Sequence, residues 1–200
     1  MLQLVNPEAV IDSDRLRLEP LIAHHAEALY PLMGDPEIYR YQNGLPASSL
    51  RQLANKYRSW ERRTAPDSSE LWLNWAIRLH EGAIVGTTQA TIYSGWVAEL
   101  AYTLPTRYWG FGYATEACHA MIAFLCANYP LSRIIARIDT RNTRSIALVR
   151  RLGFVQSDYI KDAELIQGEM TDEVIYSLPF SQPDACGMDD KVKQPDAQAT

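Results

Sequence analysis

The chain has 200 residues, of which 47% are apolar and 22% charged, with a formal net charge of −5. Those proportions suit one ordinary globular domain and exclude whole-chain disorder, a coiled coil or a collagen repeat. The acidic balance argues against non-specific nucleic-acid binding, which needs a basic surface to displace counterions. No apolar run reaches membrane length, and the opening residues lack the basic-then-apolar signature of a secretory leader. Of the three cysteines, Cys118 and Cys126 fall eight residues apart in one predicted helix. That spacing is about 12 Å along a helix axis, too far for a disulfide, so reduced thiols and a cytoplasmic location are expected.

In chain order, Arg15 to Glu19 alternates as a short strand, after which Pro20-Leu21 is expected to open a helix with Leu21, Ala28, Leu29 and Leu32 on one face. A second helix is predicted from Ser48 to Arg62, with Leu50, Leu53, Tyr57 and Trp60 at helical intervals. From Leu71 the period changes to two. Leu71, Leu73, Trp75, Ile77 and Leu79 share a face, His80-Glu81-Gly82 turns the chain, and strands follow over Ile84 to Tyr93 and Val97 to Leu104. Then come a helix from Tyr113 to Ala127, a strand over Arg133 to Asp139 and a helix from Asn142 to Leu152, stopped by Gly153. A hairpin of Phe154 to Lys161 and Glu169 to Leu178 closes the order. The expected fold is α/β (α+β): a mixed, mainly antiparallel sheet with one parallel pair, flanked by helices. Residues 1–14 read as an N-terminal extension, 15–178 as the domain, and 179–200, rich in Asp, Gln, Pro and Lys, as a disordered tail.

Between the third long strand and its helix the chain reads Arg107-Tyr108-Trp109-Gly110-Phe111-Gly112. Two glycines let successive N–H groups converge, and the helix adds the positive end of its dipole, so an anion fits there. Arg107 stands where a guanidinium would close over a phosphate. A dinucleotide-binding turn fits poorly, because Thr115 occupies the place of its third glycine and the preceding sheet is antiparallel. Glu116 reads as structural, a carboxylate offsetting the dipole in the helix's first turn. His24 and His25 fall on the first helix, where an exposed face is the default. Cys118 and His119 point to different faces, so no metal site is expected. Trp60, Trp72, Trp75 and Trp96 read as core or interface residues, with one or two free to line an acceptor pocket.

Taken together these residues resemble the GCN5-related N-acetyltransferase (GNAT) superfamily, and within it the ribosomal-protein-alanine acetyltransferases. Arg107, Gly110 and Gly112 match its acyl-CoA signature, and Asn142, Ser145 and Leu152-Gly153-Phe154 match its downstream signature. Asp172 and Tyr176 in the last strand also fit. The resemblance implies that acetyl-CoA is the co-substrate, that a primary amine is the acceptor, and that the protein forms a homodimer. Tyr102, Thr103 and Leu104 would pair with the pantetheine arm, and Asn142 would bond it from the far side. Arg107, Tyr108, Trp109, Gly110, Phe111, Gly112, Tyr113, Ala114 and Thr115 would hold the pyrophosphate.

For the chemistry, Glu99 is the candidate base, with a solvated strand carboxylate as the alternative reading. A backbone N–H at Leu100 or Ala101, aimed by a strand bulge, would stabilise the oxyanion. Many members carry a proton-donating tyrosine where this chain has Val149, so Ser145 or water must serve; Ser145 reads equally as a cap or a coenzyme contact. The acceptor is either a protein N-terminal α-amine or a small amine such as a polyamine or amino antibiotic, received by a pocket from Gly44 to Ser69. A non-catalytic acyl-CoA-binding regulator is the reading from another class.

Overall fold

The computed structural model describes residues 5–179, so the expected tail lies outside the described residues beyond its first position. The strands are β1 (Ile11–Asp12), β2 (Leu16–Pro20), β3 (Leu71–Leu79), β4 (Ile84–Tyr93), β5 (Val97–Thr103), β6 (Arg133–Asp139), β7 (Val155–Ile166) and β8 (Glu169–Pro179). They form one sheet in the order β1-β2-β3-β4-β5-β6-β8-β7. Every neighbouring pair is antiparallel except β5 and β6, which are parallel. A parallel pair needs a long crossover, and helix α3 (Tyr113–Asn128) supplies it.

Helices cover both faces, which is why β3 is buried on both sides. On one face α3 and α4 (Thr143–Arg151) pack Ala117, Met121, Leu125 and Leu148 against Leu73, Trp75, Ile77, Ala98 and Leu100. On the other, α1 (His25–Leu29) and α2 (Leu50–Trp60) pack Ala26, Leu29, Leu53 and Tyr57 against Ala76 and Ile84. Burying each of the leucine, isoleucine and methionine side chains among these is worth roughly 1.5–3 kcal/mol. Ser49 caps α2, its hydroxyl accepting from the Gln52 N–H at 3.2 Å.

Three expectations need correction. The first helix is one short turn, because Pro20 ends β2 opposite Trp75 and the Leu21 N–H donates to the Asn74 carbonyl at 2.8 Å. Pairing with β3 outweighs the preference of proline for a helix start. Pro31 then turns the chain into a 3₁₀ segment, Tyr30–Leu32, and a second one spans Pro36–Tyr39. The closing hairpin reaches Ile166 rather than Lys161, carried by pairing of Glu164 with Thr171. The register of β4 with β5 runs unbroken from Thr87↔Thr103 to Tyr93↔Val97, so no bulge lies at Leu100 or Ala101. Residues 5–14 also make contacts with the rest of the sheet and its helices. The Trp75 indole N–H donates to the Ala9 carbonyl at 3.0 Å, buried Arg63 grips Glu8, and the Tyr129 hydroxyl bonds both the N–H and the carbonyl of Val5. Among the described residues no helix is long and apolar enough to cross a membrane.

Candidate active site

The parallel strands separate soon after they meet. Pairing covers Val97↔Arg133, Ala98↔Ile134 and Glu99↔Ile135, yet β5 continues to Thr103 and β6 to Asp139. A cleft of about 1200 Å³ opens between them. Leu100, Ala101, Tyr102, Thr103 and Leu104 line one wall; Ala136 to Asp139 and the first turns of α4 line the other. Gly86 holds the end of β5 in place: a Cβ there would meet the Thr103 carbonyl oxygen at 2.5 Å and Leu104 Cγ at 2.8 Å.

At one mouth stands the glycine turn. Gly110 and Gly112 have φ of 83° and 82°, the left-handed region that favours glycine, and Gly112 is the N-cap of α3. Tyr108, Trp109, Gly110, Gly112, Tyr113, Ala114 and Thr115 all line the cleft. Arg107 and Phe111 do not. The Arg107 guanidinium lies 4.7 Å from the Tyr108 ring centroid and donates to its hydroxyl at 2.8 Å, while Phe111 turns outward and stacks on Tyr113.

The guanidinium at this mouth belongs to Arg15, which sequence reasoning missed. Its Nη1 donates to the Phe111 carbonyl at 3.0 Å, its Nε and Nη2 grip Glu116 at 2.7 Å, and its ring contact is Tyr113. Glu116 also accepts from the Ser13 hydroxyl and the Arg15 N–H, both at 2.8 Å. Burial raises the Glu116 pKa, but these donors and the adjacent guanidinium outweigh it, so the carboxyl sits below its ordinary range. Glu116 is thus a structural anchor, tying β2 to the glycine turn.

Along the far wall Asn142 caps α4, its Oδ1 accepting from the Ser145 N–H at 3.1 Å. The Ser145 hydroxyl accepts from the Tyr102 hydroxyl at 2.9 Å, a bond that spans the cleft from β5 to α4. Burial pushes the Tyr102 phenol up to about 12. Val149 lies one turn further along α4, buried in the wall, and Arg144 sits 4.8 Å over the Trp109 ring.

Glu99 is not among the cleft-lining residues. Its Oε2 accepts from the Tyr93 hydroxyl at 3.1 Å and lies 3.5 Å from Arg137 Nε; Arg137 also binds Glu173 and itself lines the cleft. Burial raises the Glu99 pKa, with Tyr93 and Arg137 offsetting part of the rise. Glu37, Ile38, Tyr41 and Gln42, from the 3₁₀ segment and the residues after it, also line the cleft, and no residue between Gly44 and Ser69 does. Trp109 is the tryptophan in the cleft; Trp60, Trp72, Trp75 and Trp96 lie elsewhere.

His24 is exposed, as expected, but His25 is buried. Its Nδ1 accepts the Ile22 N–H at 3.1 Å and its Nε2 faces Glu19 at 3.4 Å. Cys118 is buried and His119 exposed on the same helix. Among the described residues no group of three His, Cys, Asp or Glu side chains could hold a metal.

A splayed parallel strand pair with an αL-glycine turn at its mouth defines an acyltransferase-type cleft. The chain belongs to the acetyltransferase (GNAT) domain family, whose model matches residues 15–155, and it is an N-acetyltransferase by that membership. It is 26% identical over 169 residues to the uncharacterised N-acetyltransferase p20 of Bacillus licheniformis, covering 83% of this chain and 93% of that one. It is 35% identical over 79 residues to the ribosomal protein uS5-alanine N-acetyltransferase of Escherichia coli, covering 40% and 41%. The fold matches a ribosomal L7/L12 α-N-protein acetyltransferase in complex with coenzyme A, with TM-score 0.76 and 18% identity over 86% of this chain and 98% of that one. It also matches the microcin C7 self-immunity acetyltransferase in complex with acetyl-CoA and AMP, with TM-score 0.74 and 21% identity over 84% and 94%.

Proposed function

We propose that the protein transfers the acetyl group of acetyl-CoA to a primary amine, a protein N-terminal α-amine, through a ternary complex without an acetyl-enzyme. The observation that carries this is the parting of β5 and β6 beyond Glu99, which leaves the edge of β5 from Leu100 onward unpaired beside a large cleft. Such an edge suits the amide-rich pantetheine arm, which would add to it as a strand does. The turn from Trp109 to Ala114 suits the pyrophosphate, with Arg15 rather than Arg107 as the neighbouring cation. The α-amine acceptor is supported by the likeness to the uS5-alanine enzyme over 79 residues.

Acetyl-CoA supplies an activated acyl group whose thiolate leaves readily, its conjugate acid having a pKa of about 8.5. Backbone N–H groups on the freed edge at Leu100 or Ala101 would donate to the carbonyl oxygen as it gains charge, freed by strand separation instead of a bulge. Glu99 would accept the proton of the attacking amine through one bridging water, since it stands behind Arg137. Ser145 would donate to the departing sulfur.

The test is isothermal titration of acetyl-CoA into the wild type and Gly112→Trp, followed by thiol release against N-terminal peptides and small amines. Binding lost in the variant, with thiol release dependent on a peptide α-amine, is the expected result. Release driven by polyamines or amino antibiotics alone would move the acceptor to that class, and intersecting rather than parallel initial-rate plots would support the ternary complex. Binding without release from any acceptor would make the protein an acyl-CoA-binding regulator.

A further inference from the structure

We infer that Tyr102 is a positioning residue that aims the hydroxyl proton of Ser145 into the cleft, where it meets the coenzyme's sulfur. The inference rests on the acetyltransferase reading above. Tyr102 packs against the core beneath α3, and its hydroxyl reaches Ser145 Oγ at 2.9 Å. The phenol is the stronger acid of the two hydroxyls and therefore donates. Ser145 Oγ, accepting that proton, cannot return its own along the same line. Its backbone is fixed as well, since the Ser145 N–H is held by Asn142 Oδ1 at 3.1 Å. Among the described residues Ser145 gives its proton to no other group, and it lines the cleft, so the O–H is left facing the space between β5 and α4.

The role is hydrogen-bond donation and not full proton transfer. As the carbon–sulfur bond breaks, its electron pair goes to sulfur, and the Ser145 O–H stabilises the thiolate until solvent protonates it. Serine is too weak an acid to give up its proton to a thiolate whose conjugate acid has a pKa of about 8.5. Tyr102, desolvated and with its pKa raised, keeps its proton throughout and so holds the pair in one arrangement.

The arrangement can be read without an acceptor, from the ionisation of bound coenzyme A thiol followed by thiolate absorbance against pH. In the wild type, bound coenzyme A is expected to show about a tenfold larger thiolate fraction at neutral pH than free coenzyme A. Tyr102→Phe and Ser145→Ala should each lose most of that gain while still binding, and Ser145→Thr, which keeps the hydroxyl, should retain it. Should Tyr102→Phe fail to fold, as judged by thermal melting, replacement of tyrosine by 3-fluorotyrosine, nearly isosteric and a stronger donor, tests the phenol: an unchanged thiolate fraction would overturn its role. An unshifted thiol in the wild type, or an undiminished gain in Tyr102→Phe, would overturn the inference. Absence of coenzyme A binding to the wild type would instead overturn the acetyltransferase reading.

Discussion

As the proposed base, Glu99 would join stability and chemistry in one side chain. Burial raises its pKa, so ionising it costs the folded state free energy; the associated stability is present below the ordinary value of 4.5 and is lost as pH rises through the folded pKa. Glu99→Gln is therefore expected to raise the melting temperature at neutral pH while slowing acetyl transfer by about 10²-fold or more, and paired melting and kinetic measurements check both halves. The same raised pKa predicts that the wild-type rate falls on acidification earlier than an ordinary carboxylate would allow. His25 behaves in the opposite sense. Its burial, only partly offset by Glu19, lowers its pKa below 6.5, so the unfolded chain binds the extra proton first. The stability it contributes is complete above pH 6.5 and lost as pH falls from there toward the folded value. Protonation would also remove Nδ1 as acceptor for Ile22. Melting curves at pH 7.5 and 5.5 should differ more in the wild type than in His25→Gln.

Among the elements, β5 matters most, because it belongs to the sheet at one end and to the cleft at the other. The meander β3 to β5 was legible in the sequence, since a period of two over nine or more residues has few other physical solutions. What could not be read was how β5 ends. The close approach of Gly86 to Thr103 and Leu104 is a tertiary fact with no local signature, and Gly86→Ala is expected to cost about 1–3 kcal/mol by overpacking and to weaken acetyl-CoA binding. Denaturant titration and calorimetry on the same variant separate the two effects. The glycine turn was legible because its geometry is local, whereas the guanidinium beside it was not. Arg107 is near in sequence but turns to Tyr108, and Arg15 is 101 residues from its partner Glu116. Arg15→Gln should weaken acetyl-CoA binding by about tenfold or more, a charge-assisted contact being worth roughly 1.5–3 kcal/mol. Arg107→Gln should change it far less. The cross-cleft bond from Tyr102 to Ser145 was hidden for the same reason, its ends being 43 positions apart in the chain.

At the scale of the whole molecule, the order of elements predicted the sheet and its single parallel pair, because each strand and helix was long enough to declare its period. The exceptions were short pieces whose form is imposed from outside. The first helix shrank because β3 claimed Pro20 and Leu21, and the two-residue β1 carries no periodicity at all. Part of the cleft wall likewise came from the 3₁₀ segment near Tyr39 and not from the longer, more visible α2 region.

That leading segment, fastened at Val5, Glu8 and Ala9, has a bearing on how long the folded state lasts. Its partners Tyr129, Arg63 and Trp75 lie 124, 55 and 66 residues away, so these bonds close large loops. Because closing such loops is entropically costly, these contacts are expected to form after the rate-limiting step, and interactions absent from the transition state govern escape from the native basin. Loosening the strap, for instance by Glu8→Ala, should leave the refolding rate nearly unchanged and accelerate unfolding, turning a few N-terminal residues into the control on native-state half-life.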